Sequence, residues 1–228
     1  MKREFLTTGD GSLTLYLPEW NEHYHSKHGA INEARHVFIQ AGLRYFLETS
    51  KKTEVSVLEI GFGTGLNAIL TQLFSEEQGV KIGYTGVEAY PLEASEIEIL
   101  NYPELLQIAP NDFLKLHETL WETSFEISKH FMLKKRKQFF SEIEDKAAFE
   151  IIYFDAFGAR VQPELWTEPI FEKMFAALKT GGILVTYAAN SNARRAMQHV
   201  GFTVEKLAGP PGKREMLRAV KGEVLNEN

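Results

Sequence analysis

A short apolar run, Val55-Ser-Val-Leu-Glu-Ile60, runs straight into Gly61-Phe-Gly63-Thr-Gly65 and then into a helix-period segment, Leu66 to Phe74. Strand, glycine loop and helix in that order confine the chain to a narrow set of folds. The same alternation continues downstream. Lys81 to Val87 is a strand closing at Glu88, and Pro91 to Leu100 is helical. Phe149 to Phe154 is a strand ending at Asp155, and Pro169 to Leu178 is a helix stopped by Gly181-Gly182. Ile183 to Tyr187 is a strand, and Asn192 to Val200 a helix ended by Gly201. Strands alternating with helices predict an α/β fold with a mostly parallel sheet. Phe202–Leu207 and Glu215–Val220 around Gly209-Pro-Pro-Gly212 predict a C-terminal antiparallel hairpin.

The N-terminal part differs. Alternating residues on either side of Gly9-Asp10-Gly11 predict a β-hairpin over residues 4–17. Residues 18–29 are polar and His-rich and form a loop, so 1–29 is an N-terminal extension. Ala34, Val37, Phe38, Ala41 and Tyr45 then mark a helix from Ala30 to about Glu48. The stretch 101–148 is the least regular and reads as an insertion with its own hairpin. With no linker or repeat, the 228 residues form a single domain.

Composition excludes several chemistries. There is no cysteine, so there are no disulfides, thiolate metal sites or Cys nucleophile. The start, Met1-Lys2-Arg3-Glu4-Phe5, has no signal-peptide core. No apolar run approaches the ~20 residues of a membrane span. A cytoplasmic location is expected. His23, His25, His28 and His36 include H-x-H and H-x-x-H spacings but no zinc motif, and they read as a polar loop rather than a metal site. The 25 Lys+Arg and 31 Asp+Glu give a formal charge of −6. The base is uneven, however. Between Ser191 and Ala219 there are six Lys/Arg and two Glu. Lys134–Lys137 is a second basic run, which reads as a solvated strand face. Any nucleic-acid contact is therefore local and salt-sensitive.

The glycines are spaced G-x-G-x-G behind acidic Glu59, and Leu66 stands where a dinucleotide fingerprint has its last glycine. That spacing is the pattern of S-adenosylmethionine (SAM) methyltransferases. Glu88 ends the next strand, where a carboxylate can accept from both ribose hydroxyls. The plainer alternative is a tight strand–helix turn with a solvated carboxylate. Asp155 ends a buried strand on the same rim. It can hold an ammonium group and accept the proton that leaves when an amine attacks a methyl group. Capping of the following turn is the simpler alternative. Phe157 and Trp166 are candidates to stack on a flat substrate.

Six motifs, from Tyr24 to Ala219, resemble the MnmC methyltransferase domain and its stand-alone relatives of the MnmD type. They are Tyr24-His-Ser26-Lys-His-Gly29-Ala-Ile-Asn-Glu33-Ala-Arg35-His-Val-Phe38, Gly61-Phe-Gly63-Thr-Gly65-Leu-Asn67, and Val87-Glu88-Ala-Tyr90-Pro91-Leu92 with Phe154-Asp155-Ala-Phe157. Pro163-Glu-Leu-Trp166-Thr and Gly212-Lys213-Arg214-Glu215-Met216-Leu217 complete them. The resemblance implies a Rossmann-like class I methyltransferase fold with SAM as donor. It implies methylation of the amine of 5-aminomethyluridine, or its 2-thio form, at the tRNA wobble position, without the flavin oxidase domain of two-domain relatives. By similarity Tyr24, Gly61, Gly63, Gly65, Asn67 and Glu88 are cofactor-binding, and Ser26 and Glu59 are grouped with them. Asp155 falls beside the reacting amine, and Lys213 and Arg214 are candidates for tRNA contact. One departure stands out. Relatives carry a Gly-Asp that meets the adenine amino group, whereas Lys134–Glu142 has none. Gln138, Ser141 or a backbone group takes its place. A methyltransferase or aminopropyltransferase-like enzyme acting on a small amine shares the same features, and a non-enzymatic nucleoside-binding module shares the loop.

Overall fold

A computed structural model describes residues 2–222. The expected N-terminal hairpin is present as β1 (Glu4–Thr7) and β2 (Leu13–Leu17), and β3 (Glu22–His23) extends it into a three-stranded antiparallel sheet. Asp10 holds the turn. Its Oδ1 accepts from the Thr8 hydroxyl at 2.8 Å and the Ser12 amide at 3.2 Å. Its Oδ2 accepts from the Asn32 amide at 2.9 Å, which ties the hairpin to the helix that follows. That helix is continuous but not uniform. It runs as Ala30–Ala34, a π-helical stretch Arg35–Arg44, and Tyr45–Ser50.

The main sheet contains β4 (Glu54–Ile60), β5 (Lys81–Val87), β6 (Ser124–Ser128), β7 (Phe131–Arg136), β8 (Phe149–Phe154), β9 (Leu178–Thr186), β10 (Phe202–Ala208) and β11 (Glu215–Lys221). Their order is β10-β11-β9-β8-β4-β5-β7-β6. Five neighbouring strands, β9, β8, β4, β5 and β7, are parallel. The terminal hairpin adds β11 and β10 antiparallel at one edge, as expected. The other edge is also antiparallel, through β6. Both faces are covered, so the central strands are buried on each side. Val57, Ile151, Tyr153 and Val185 pack into one core. Their neighbours Leu58, Ile152, Phe154 and Leu184 pack into the other. This is the period of two that makes buried parallel strands read as unbroken apolar runs.

Three expectations need correction. The stretch 101–148 does contain a hairpin, but its second strand, β7, pairs in parallel with β5 over Ile82–Val87 and belongs to the main sheet. The helix expected over Pro91–Leu100 is only one turn, Ala94–Ile97, with Glu93 and Glu96 forming a capping box and a separate helix starting at Tyr102. The basic run Lys134–Lys137 is not a solvated face. Lys135 is 1% exposed. Its Nζ donates to the His117 carbonyl at 2.5 Å and lies 4.9 Å from the Trp121 ring centroid. Burial lowers its pKa to about 8. Arg136 makes a two-pronged ion pair with Asp145, at 2.6 and 3.0 Å.

One glycine ties the sheet to the loop above it. A Cβ on Gly86 would lie 2.4 Å from Cδ2 of Phe62, so β5 leaves space for the aromatic ring of the glycine loop. Gly86→Ala is expected to displace Phe62 and to cost about 1–3 kcal/mol by overpacking. Thermal unfolding measures the cost.

Candidate active site

The sheet order reverses around β4, which has β8 on one side and β5 on the other. Ligands of open α/β sheets bind beyond the carboxyl ends of the strands at such a point. Three expected residues converge there. Gly61 follows β4, Glu88 follows β5 and Asp155 follows β8. The Gly61 and Phe62 amides both donate to the Val87 carbonyl at 3.0 Å, and the Asp155 amide donates to the Ile60 carbonyl at 3.0 Å. Gly61 has φ +93°, and a Cβ there would sit 2.8 Å from the Asp155 carbonyl oxygen. No other residue fits this crossing without strain.

Above the strand ends lies a cleft of ≈ 350 Å³. Tyr24, Gly61, Gly63, Asn67, Glu88, Asp155 and Phe157, all expected at the site, line it. Glu88 Oε2 accepts from the Gly63 amide at 3.0 Å and Oε1 from the Tyr90 amide at 2.9 Å. The glycine loop and the acidic strand end are thereby one unit. Asn67 lies in the first turn of helix Leu66–Gln78. Its Nδ2 donates to Glu59 Oε1 at 2.9 Å and to Asp155 Oδ2 at 2.8 Å. One amide thus links carboxyls from β4 and β8.

Electrostatics separate those two carboxyls. Glu59 is fully buried, and desolvation raises its pKa well above the ordinary range. That favours the protonated acid. Asp155 is raised to about 7, chiefly by burial and further by the negative charge of Glu33. The Asn67 hydrogen bond and the Lys213 cation act the other way. Asp155 therefore changes charge near neutral pH, where a group that exchanges protons with a substrate is most useful. Two histidines nearby are kept neutral by burial, His25 at about 4 and His117 at about 3. Burial raises the Tyr24 phenol to about 12.

The remaining expected residues lie outside the cleft lining. Glu59 stands behind Asn67. Gly65 packs on His117, whose Nε2 would be 2.8 Å from a Cβ there. Ser26 shapes the N-terminal loop. Its amide donates to Glu33 Oε2 at 2.9 Å, and its hydroxyl accepts from the His28 amide at 3.2 Å. Trp166 is 4% exposed and packs edge-on against Phe154. It does not face the cleft. Its indole donates to the Phe157 carbonyl at 2.8 Å and so supports the residue that does. Lys213 is held by Glu33, and Arg214 is exposed on the terminal hairpin turn. Of the adenine-side candidates, Ser141 lines the cleft and Gln138 does not.

The cleft also contains residues that motif reading missed. Trp20 meets the Phe157 ring edge-on at 5.7 Å between centroids, as the expected Tyr24 does at 5.0 Å. Tyr90 and Phe139 form a second aromatic pair at 6.0 Å on the Glu88 side. Arg3, just before β1, reaches over to Glu96 at 2.8 Å and to the Tyr90 carbonyl at 3.0 Å. No local signal marks it, because its partners lie about ninety residues away. The donor set suits SAM. The Asn67 Oδ1, a buried acceptor in a cleft-lining residue, has no hydrogen-bond partner among the described residues. A carboxylate able to accept from ribose hydroxyls, Glu88, and aromatic faces suited to a cationic sulfonium line the same cleft. Among the described residues no group of three or more His, Asp or Glu is placed to hold a metal ion. No helix of the described residues is long and apolar enough to cross a membrane.

Comparison with known proteins agrees with this geometry. The model of a family described as S-adenosyl-L-methionine-dependent methyltransferase matches residues 104–222, just over half of the chain, and the protein belongs to that family. It is thus an enzyme whose cofactor is SAM. The resemblance to MnmC also holds along the chain. The tRNA 5-methylaminomethyl-2-thiouridine biosynthesis bifunctional protein MnmC of Leptospira borgpetersenii is 28% identical over 218 residues, 90% of this chain and 33% of the relative. Its counterpart in Nitrosospira multiformis is 28% identical over 214 residues, 90% of this chain and 35% of the relative. The chain therefore spans about a third of the length of the curated relatives it matches. MnmC2 from Aquifex aeolicus superimposes with a TM-score of 0.78 at 25% identity, covering 98% of this chain and 72% of that one. A spermidine synthase from Thermotoga maritima superimposes at 0.56 with 12% identity, covering 98% and 73%, which is a likeness of fold alone.

The raised pKa of Asp155 has a consequence for stability. In the unfolded chain an aspartate ionises near pH 3.8, while in the folded protein it does so at about 7. As pH rises through this window the unfolded state loses its proton first, so this group lowers stability progressively. Asp155→Asn should therefore melt higher than the parent at pH 8, with the difference shrinking towards pH 4. Melting curves across that range check it, and a difference independent of pH would contradict the raised pKa.

Proposed function

We propose that this protein transfers a methyl group from SAM to the exocyclic amine of 5-aminomethyluridine, or its 2-thio form, at the tRNA wobble position. The product is the 5-methylaminomethyl nucleoside. The observation that carries the reading is Asp155, a carboxyl at the cleft that titrates near neutral pH beside an aromatic cluster. The names of the MnmC relatives supply the substrate class. A cytoplasmic site of action accompanies a tRNA substrate.

Bound SAM supplies an electrophilic methyl on a good leaving group, so the protein has mainly to orient and deprotonate the amine. Glu88 would accept hydrogen bonds from the ribose. The Asn67 Oδ1 would accept from the cofactor's ammonium group, while its Nδ2 holds Asp155 in place. Gly61 and Gly63 would let the ligand approach the loop closely, with Tyr24 beside it, and Ser141 would serve the adenine side. An alkylamine arrives mostly as ammonium at neutral pH. Ionised Asp155 holds that cation and takes one proton from it, which frees the nitrogen lone pair to attack. Phe157, braced by Trp166 and edged by Trp20, supports the flat base. Arg214, exposed on the hairpin turn, contacts phosphate, and the contact is local enough for methylation to fall as salt rises.

The test is mass spectrometry of wobble nucleosides after tRNA bearing 5-aminomethyluridine is incubated with the purified protein and SAM. A gain of one methyl on that nucleoside is expected. Methylation of free amines but not of tRNA would favour the small-amine reading. SAM binding without turnover on either would leave a binding module. Asp155→Ala should lower turnover by about 100-fold or more with SAM affinity largely kept. Glu88→Ala should weaken SAM binding by about tenfold or more, since a charged acceptor is removed. Isothermal titration separates the two effects.

A further inference from the structure

Lys213 was expected at the RNA-facing surface, yet its ammonium is turned inward. Its Nζ lies 2.5 Å from Glu33 Oε1 and 3.7 Å from the Tyr187 ring centroid. Glu33 is 6% exposed, and its other oxygen accepts from the Ser26 amide. Tyr187 lines the cleft, and its hydroxyl donates at 2.9 Å to the carbonyl of Ala156, the residue after Asp155. A cation, a buried carboxylate and an aromatic wall thus join three distant segments beside the reacting group. The turn around them is tightly packed. A Cβ on Gly212 would lie 2.1 Å from the His28 ring, and His36 bonds the Ala208 carbonyl at 2.8 Å. A surface lysine would need none of this.

We propose that Lys213 and Glu33 are positioning residues for methyl transfer: their ion pair balances charge beside Asp155 and holds Tyr187 against the Asp155–Ala156 backbone. The inference rests on the amine-methylating reading given above. Several charged and titratable groups bear on Asp155. Glu59 from β4 and the Asn67 amide from helix Leu66–Gln78 approach from one side. Tyr84 from β5 and Tyr187 after β9 are further neighbours whose phenols feel its charge. Glu33 from helix Ala30–Ala34 and Lys213 from the hairpin turn complete the set, with opposite effects on Asp155. Removing the cation leaves Glu33 negative and uncompensated, which keeps Asp155 protonated at neutral pH. A protonated Asp155 neither holds an ammonium nor takes its proton. Removing Glu33 does the reverse.

The test follows the Asp155 carboxyl by 13C NMR in the protein without substrate, with Asp155→Asn assigning the signal. Lys213→Met is expected to move the titration up by about one pH unit or more, and Glu33→Gln to move it down. The double variant should return towards the parent, and Lys213→Arg should stay near it. The acid limb of kcat/KM for tRNA methylation should move in the same directions. SAM affinity reports whether each variant is folded. If Lys213→Met does not fold, Glu33→Gln and the double variant still carry the comparison. Unchanged titration in folded variants overturns the proposal and leaves the pair as a structural clasp. An absence of tRNA methylation by the parent protein is a different failure. It rejects the substrate reading, while the NMR titration still reports on the pair.

Discussion

A single side-chain amide holds the reactive end of this fold together. Asn67 gives one hydrogen to Glu59 and the other to Asp155, so two neighbouring strands and the helix after the glycine loop meet at one group. An amide is suited to this. Two ionised carboxylates held this close would repel, and a neutral donor with two hydrogens lets both approach. The arrangement works best with Glu59 carrying a proton, which its complete burial favours. Asp155 is then the carboxyl left to change charge near neutral pH. The inner carboxyl stays protonated and the outer one can exchange a proton.

The cost of this arrangement falls on stability. Desolvating a carboxyl that the unfolded chain would ionise freely works against folding, and the sheet beneath offsets it. β4 and β8 are buried on both faces, and the backbone crossing at Gly61 locks their ends together. Phe62 and Lys135 extend the same economy sideways. The buried ammonium lies under aromatic rings and donates to a backbone carbonyl, which fills the space beneath the glycine loop without leaving a bare charge.

Much of the centre of the fold is legible in the amino-acid sequence. β5 and β8 match their expected limits residue for residue, and β4 differs by one. Strands buried on both faces show as unbroken apolar runs, and glycine or acidic residues mark where they stop. The edges of the sheet were harder. β7 ends in two lysines and an arginine, so its pattern suggests solvent. Only the rings of Phe62 and Trp121, brought in from elsewhere, make Lys135 an interior residue. The helix expected after Glu88 breaks after one turn, because tertiary packing decides where short amphipathic segments stop.

The sequence by itself determined the fold class, the strand-end positions of the glycine loop, Glu88 and Asp155, and the family. These depend on local order along the chain, where a strand must precede its loop and the loop its helix. Tertiary structure decided which side chains face the cleft. It turned Trp166 from a stacking surface into a brace for Phe157, and set Lys213 inward against Glu33. It also brought Arg3 across to the Glu88 side and Trp20 to Phe157. Lys213 and Glu33 are 180 residues apart. No periodicity or spacing encodes a contact at that separation. It exists because the terminal hairpin adds to the sheet edge beside the helix that carries Glu33, and the carboxylate buried there is matched by the half-buried lysine.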